Sequence, residues 1–174
     1  MSGSRARDVR HDLLHFADEL ERQSDAAEEA RPGPELHLVT FALDREEFGI
    51  PIDQVREVIR VGEITRVPQA RQHVRGVTNL RGRILAVIEI RTRMGLSPAE
   101  ITPQSRIVVV GVHDRTLGIL VDRVSQVTKL PAATAVPAPD DVLSTNVDYI
   151  TGVARWQSRL IILLDLEKVL LLAD

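Results

Sequence analysis

The chain has 174 residues, 44% of them hydrophobic but only 3% aromatic, and a formal net charge of −3. That length suits one domain, or two small units sharing a core, and the core must be Ile, Val and Leu, which favour strands. No cysteine is present, which excludes disulfides, thiolate metal sites and a cysteine nucleophile. The acidic balance argues against a general nucleic-acid binder, no apolar window approaches the roughly 18 residues of a membrane span, and the polar N-terminus is no signal peptide. These bounds predict a soluble, intracellular, mostly β protein.

Residues 1–35 form an acidic helical extension with a Pro/Gly linker. Val9, Leu13, Phe16 and Leu20 recur at 4-3-4 spacing, a narrow apolar stripe on a helix. Nine acids face five arginines in this stretch, and Arg31-Pro32-Gly33-Pro34 stops the helix. The stripe predicts docking on the body, with self-pairing or partner binding as alternatives. His11 and His15 stand at i and i+4 with Glu19 one turn on, but three weak ligands on an exposed helix describe a solvated face better than a metal centre. No metal and no cofactor is expected.

From Leu36 the pattern changes to strands. Leu36 to Leu43 is one, Asp44-Arg45-Glu46-Glu47 a polar turn, and Phe48 to Ile52 the return strand. Asp53 is placed to cap a short helical turn holding Val55 and Val58, and Val61 to Val67 is a further extended run closed by Pro68. Around Leu80-Arg81-Gly82 a turn separates two Val/Ile-rich runs, since Gly82 can take the backbone angles required. Ile84 to Ile90, interrupted only by Glu89, is expected as a strand buried on both faces, with Arg81 displayed at the tip. Pro131 to Pro139 is expected as a long Pro/Ala loop, and Leu166 to Leu172 as an amphipathic terminal helix.

The second half repeats the first. Phe48-Gly-Ile-Pro-Ile-Asp-Gln-Val aligns with Leu117-Gly-Ile-Leu-Val-Asp-Arg-Val, which matches Gly49 to Gly118, Asp53 to Asp122 and Val55 to Val124. Arg75-Gly-Val-Thr-Asn-Leu likewise aligns with Thr151-Gly-Val-Ala-Arg-Trp, and Glu89 falls opposite Asp165. Two copies of a small β unit are too few for a solenoid, and each is too small to bury much alone. Units of roughly 36–97 and 105–172, interleaved on one shared core, are therefore expected.

Catalytic signatures are missing: no G-x-S-x-G elbow, no H-E-x-x-H and no phosphate-binding Walker loop. His37, His73 and His113 are isolated, and Asp140-Asp141 in the Pro-rich loop are most simply solvated. Between residues 66 and 93 seven arginines face Glu89 alone, without the interleaved aromatics that stack nucleic-acid bases. Most read as outward charges at strand ends. Arg81 differs, because a turn tip is a costly place to order a side chain that contacts nothing.

The block GVTNLRG leading into a strand that ends Glu89-Ile90-Arg91 resembles the CheW chemotaxis coupling (adaptor) family. The FGIPIDQVREVI segment, Pro137-Ala138-Pro139 and the ending from Tyr149 through Lys168 carry the same resemblance, which covers Leu36 to about Leu172. It implies two SH3-like five-stranded β-barrels and a cytoplasmic, non-enzymatic adaptor. Its partners would be chemoreceptor cytoplasmic tips and the regulatory domain of a CheA-type histidine kinase. Carried over by position, Val55, Glu57 and Arg81 would face the receptor, with Asn79 and Gly82 shaping the turn. Ala86 stands where members often have proline, and Glu89 where they often have aspartate. Val136 and Asp141 replace the basic and aromatic residues that flank Pro-Ala-Pro in array-forming members, so Val136, Asp140 and Asp141 are the kinase- or ring-interface candidates. The partner-helix candidates are Val9, Leu13, Phe16 and Leu20. The alternative is a specialised CheW-like protein of a pilus, gliding or other chemosensory pathway that recruits a different partner through the N-terminal helix. An enzyme or small-molecule binder using a cleft between barrels has no catalytic constellation behind it.

Overall fold

The computed structural model describes residues 33–137 and 148–170. The first repeat supplies β1 (Glu35–Leu43), β2 (Glu46–Pro51), β3 (Val55–Arg60), β4 (Val74–Leu80), β5 (Arg83–Ile88) and a one-turn helix, α1 (Ile90–Arg93). The second supplies β6 (Arg106–Val112), β7 (Arg115–Val121), β8 (Arg123–Pro131), β9 (Ala135–Val136), β10 (Ile150–Trp156), β11 (Arg159–Leu164) and α2 (Leu166–Val169). They form a six-stranded sheet, β8-β1-β2-β11-β10-β9, and a five-stranded sheet, β3-β6-β7-β5-β4. Each sheet thus takes the opening hairpin of one repeat and the later strands of the other. Two short parallel ladders make the exchange: β2 pairs with β11 and β5 with β7, while every other pairing of strands is antiparallel.

This exchange explains the nearly unbroken apolar runs. One face of each central strand points into a core between the sheets, where Phe41, Leu43 and Ile50 meet Val108, Val110 and Ile119, all fully buried. The opposite faces fill two smaller clusters, one around Leu85, Val87, Ile107 and Leu120, the other around Leu38, Leu130 and Ile161. Strands buried on both sides have no polar face to alternate with. Phe41 and Phe48, paired across β1 and β2, stack with ring centroids 6.0 Å apart.

Several local expectations need correction. Ile84 is 81% exposed rather than buried. The run that was to end at Arg91 leaves the strand at Ile88, after which Ile90 opens α1. Asp53 caps nothing: a 3-10 turn covers Ile52–Gln54 with no side-chain cap, and Val55 and Val58 lie on β3. Residues 61–67 are irregular except at Thr65, whose N–H and C=O each bond Val77 at 2.8 Å. The first turn is only Asp44-Arg45, because Glu46 and Glu47 already pair with Leu43 and Ala42. The expected Pro/Ala loop begins as a 3-10 turn, Ala132–Thr134, followed by β9. The terminal run starts as α2, capped by the Asp165 carboxylate, which accepts from the Lys168 N–H at 3.2 Å; residues 171–174 lie outside the described residues.

The arginines are also less outward than expected. Arg91 is buried, with Nη1 at 2.7 Å from both Asp44 and Asp122 and Nε donating to the Ser97 carbonyl. It pins the β1–β2 turn to the start of β8. Arg75 donates to both carboxylate oxygens of buried Glu89, which also accepts from the Ala99 N–H. Arg93 lies over the Tyr149 ring, 5.3 Å from its centroid. Arginine suits such sites because its rigid fork serves several acceptors and stacks on aromatics.

Candidate functional site

The β4–β5 hairpin turns on two residues, Arg81 and Gly82, between the paired residues Leu80 and Arg83. Both adopt positive φ, 51° and 83°, the geometry that matches the twist of adjoining strands. Glycine takes that conformation freely, whereas arginine does so at a steric cost. Asn79 offsets part of it, its Oδ1 accepting from the Gly82 N–H at 2.8 Å.

From this tip Arg81 Nη1 reaches Glu57 Oε2 on β3 at 2.8 Å. The side chain of Arg81 remains 75% exposed against 28% for Glu57. The hydrogen bond, then the charge of Glu57, push the Arg81 guanidinium above its ordinary range. The other carboxylate oxygen of Glu57, Oε1, is buried without a hydrogen-bond partner. The hairpin tip is therefore tied to the opposite edge strand of its sheet, and its charge still faces solvent.

Val55 and Glu57 do not share a face, although strand alternation would have placed them together. Val55 pairs with Val110 and Glu57 with Val109, so Arg56 is the extra residue of a β-bulge. Paired residues point to the same side and successive partners to opposite sides. Val55 accordingly packs on the inter-sheet core with Val110, while Glu57 turns to the face of Val109. The bulged Arg56 lays its guanidinium over Gly111, where a Cβ would stand 2.8 Å from Nη2.

Ile84 was missed as a surface residue. β5 pairs with β7 only at Val87 and Ile88, so the hairpin projects beyond the sheet and Ile84, opposite Asn79, has no strand on its other side. The available signal was its place two residues after the turn. Arg81 and Glu57 together give a surface of one cation and one half-buried carboxylate, and Ile84 is a large exposed aliphatic on the same hairpin. Val136, on β9, is half-buried beside β10. Asp140, Asp141, Val9, Leu13, Phe16 and Leu20 lie outside the described residues, as do His11, His15 and Glu19.

The three described histidines have partners. His37 Nε2 stands 3.6 Å from Glu35 and His113 Nε2 3.2 Å from Glu167. His73 Nδ1 lies 2.7 Å from Thr92 Oγ1, and burial, helped by Arg93, lowers its pKa. Burial also raises the Tyr149 hydroxyl, against the pull of Arg93. No group of three or more metal-ligating side chains occurs among the described residues, and none of their helices is long and apolar enough to cross a membrane. A cavity of about 460 Å³ opens beside Arg91, Ser97 and Asp122, but two aspartates already neutralise Arg91 there.

A family model described as a CheW-like domain matches residues 37–173. The chain belongs to the CheW family. The chemotaxis protein CheW of Klebsiella aerogenes is 35% identical over 133 residues, covering 76% of this chain and 80% of that protein. Protein FrzA of Myxococcus xanthus is 30% identical over 66% of this chain and 72% of its own length. Among solved structures, the scaffolding protein TtCheW of Thermoanaerobacter tengcongensis superposes with a TM-score of 0.71 at 28% identity, covering 78% and 92% of the two chains. The Klebsiella aerogenes relative is named as a chemotaxis protein and the solved one as a scaffolding protein.

Proposed function

We propose that this protein is a non-enzymatic cytoplasmic adaptor that joins chemoreceptor cytoplasmic tips to the regulatory domain of a CheA-type histidine kinase. The observation that carries this reading is the Arg81–Glu57 pair, a turn-tip cation held at 2.8 Å yet left largely in solvent. An arginine in a costly backbone conformation, braced from a neighbouring strand, is preorganised for a partner and does little for the fold. Exposed Ile84, three residues on in the same hairpin, supplies the apolar anchor that binding surfaces need. Val55 contributes from the core side of the bulge, and Asn79 and Gly82 keep the turn.

On this reading each sheet is one SH3-like barrel, residues 1–35 are an appendage, and Val136 with Asp140 and Asp141 borders a kinase or ring contact. Capture of purified chain by immobilised receptor-tip and kinase-domain fragments tests the assignment. It expects retention by both, and loss on the receptor arm alone for Arg81→Ala. The similarity to FrzA favours a second reading, an adaptor of a different chemosensory pathway. Retention by neither fragment, with capture by receptors or kinases of another system, would select it.

A further inference from the structure

The six-stranded sheet ends in an unfinished edge. Among the described residues β8 pairs only with β1, and its Arg123, Ser125, Gln126, Val127 and Lys129 are exposed. Val127 is 57% exposed even though it stands in register with Val39, a buried member of the inter-sheet core. Val124, on the same strand, packs partly on that core. The apolar interior therefore runs out to the rim of the sheet uncovered. The flanking charges, Arg123 and Lys129, are both positive, and β8 contains no acid.

We propose that residues 1–32 cover this edge, seating the stripe Val9, Leu13, Phe16 and Leu20 on Val127. Charge is complementary: the segment holds eight acids against five arginines, facing a strand with two cations and no acid. The tether is short and in the right place. Glu35 pairs with Pro131, and the Ala132 N–H donates to the Pro34 carbonyl at 2.8 Å, so the segment leaves the body at the end of β8. From Pro131 back to Val127 is about 13 Å of strand. The residues between Leu20 and Pro34 can span about 45 Å extended. Lengths also agree: a helical stripe from Val9 to Leu20 measures roughly 17 Å and the exposed row from Arg123 to Lys129 roughly 20 Å. Val58, which the repeat matches to Val127, is 40% exposed on β3, but β3 lies in the other sheet and carries Glu57. Covering β8 also hides a free strand edge that would otherwise template aggregation.

The absence of native cysteine makes a direct test available. In the full chain, Ala17→Cys combined with Ser125→Cys is oxidised gently beside a control combining Ala17→Cys with Val58→Cys. The expected result is a disulfide within one chain, forming at least about fivefold faster at residue 125 than at residue 58, and slowed to the control rate by adding Phe16→Asp. Equal rates at the two positions, or no response to Phe16→Asp, overturn the proposal. So does a disulfide between chains whose rate rises with protein concentration, which would assign the edge to a second copy. Hydrogen exchange of the unmodified chain supplies the second measurement: amides of residues 9–20 should be protected, and Val127→Asp should release them. Free exchange of those amides in the unmodified chain also overturns the proposal.

Discussion

Arg81 and Glu57 are 24 residues apart in the chain and 2.8 Å apart in space, joining the β4–β5 turn to the far edge of the same sheet. Exposed ion pairs of this kind add little to stability. Arg81→Ala should leave the melting temperature almost unchanged and weaken capture by a receptor-tip fragment about tenfold or more. Glu57→Lys should lose affinity in a salt-dependent way, mainly through slower association. Thermal melting and binding at two ionic strengths check both. A large drop in melting with intact binding would make the pair structural.

The β10–β11 turn is the counterpart of the Arg81-Gly82 turn but contains no glycine. Gln157 and Ser158 sit there at φ 51° and 64°. Gln157→Asn together with Ser158→Gly should relieve this strain and stabilise the protein by about 1 kcal/mol. Melting should rise by roughly 2–4 °C for a chain of this size. An unchanged or lower value would show that the turn is held by other contacts.

Gly76 and Gly152 occupy matching positions of the repeat, each beside a β-bulge, and each faces a crossing backbone. A Cβ on Gly152 would stand 2.6 Å from the Val136 carbonyl oxygen, and one on Gly76 would fall on the Thr65 carbonyl. Backbone cannot step aside as a flexible side chain can. Gly76→Ala and Gly152→Ala should therefore each destabilise by about 1–3 kcal/mol. Gly33→Ala, with nothing within 4 Å, should not. Urea unfolding of the three variants checks the contrast.

His73 carries a pH dependence. Thr92 Oγ1 donates to the Glu89 carbonyl and so accepts from His73 Nδ1–H, and burial and Arg93 disfavour the charged imidazole. The folded pKa lies below the unfolded value of about 6.5, so the unfolded state takes up the proton first. The contribution of His73 is complete above about pH 6.5 and is lost progressively as pH falls from there through the lowered folded value. His73→Asn keeps a residue tolerant of the positive φ of 71° and should flatten that part of the melting-temperature profile. Identical slopes for the two proteins below pH 6.5 would remove His73 as the source.

Much of the molecule was legible because it follows from local chemistry. Val/Ile runs bounded by Gly and polar turns gave β1, β4 and β5, and internal similarity gave the matched glycines. Ile84 failed because an apolar residue in a strand pattern is exposed or buried according to which strand lies beyond it. Arg91 and Arg75 failed for the converse reason. Their acceptors, Asp122 and Glu89, reach them only through folding, so Arg91 is internal and Arg75 half-buried while Arg66, Arg71, Arg81 and Arg83 of the same run stay exposed.

The sequence by itself determined the strand-rich class, the duplication, the turn at Arg81-Gly82 and the family. Hydrophobic period, backbone-permissive residues and motif order are properties of neighbouring residues and survive without a fold. Tertiary structure alone decided that the two repeats exchange their opening hairpins, that a bulge at Arg56 turns Val55 and Glu57 to opposite faces, and that Glu57 meets Arg81. Each depends on register between segments far apart in the chain. A shift of one residue there inverts which face a side chain occupies, and nothing local records it.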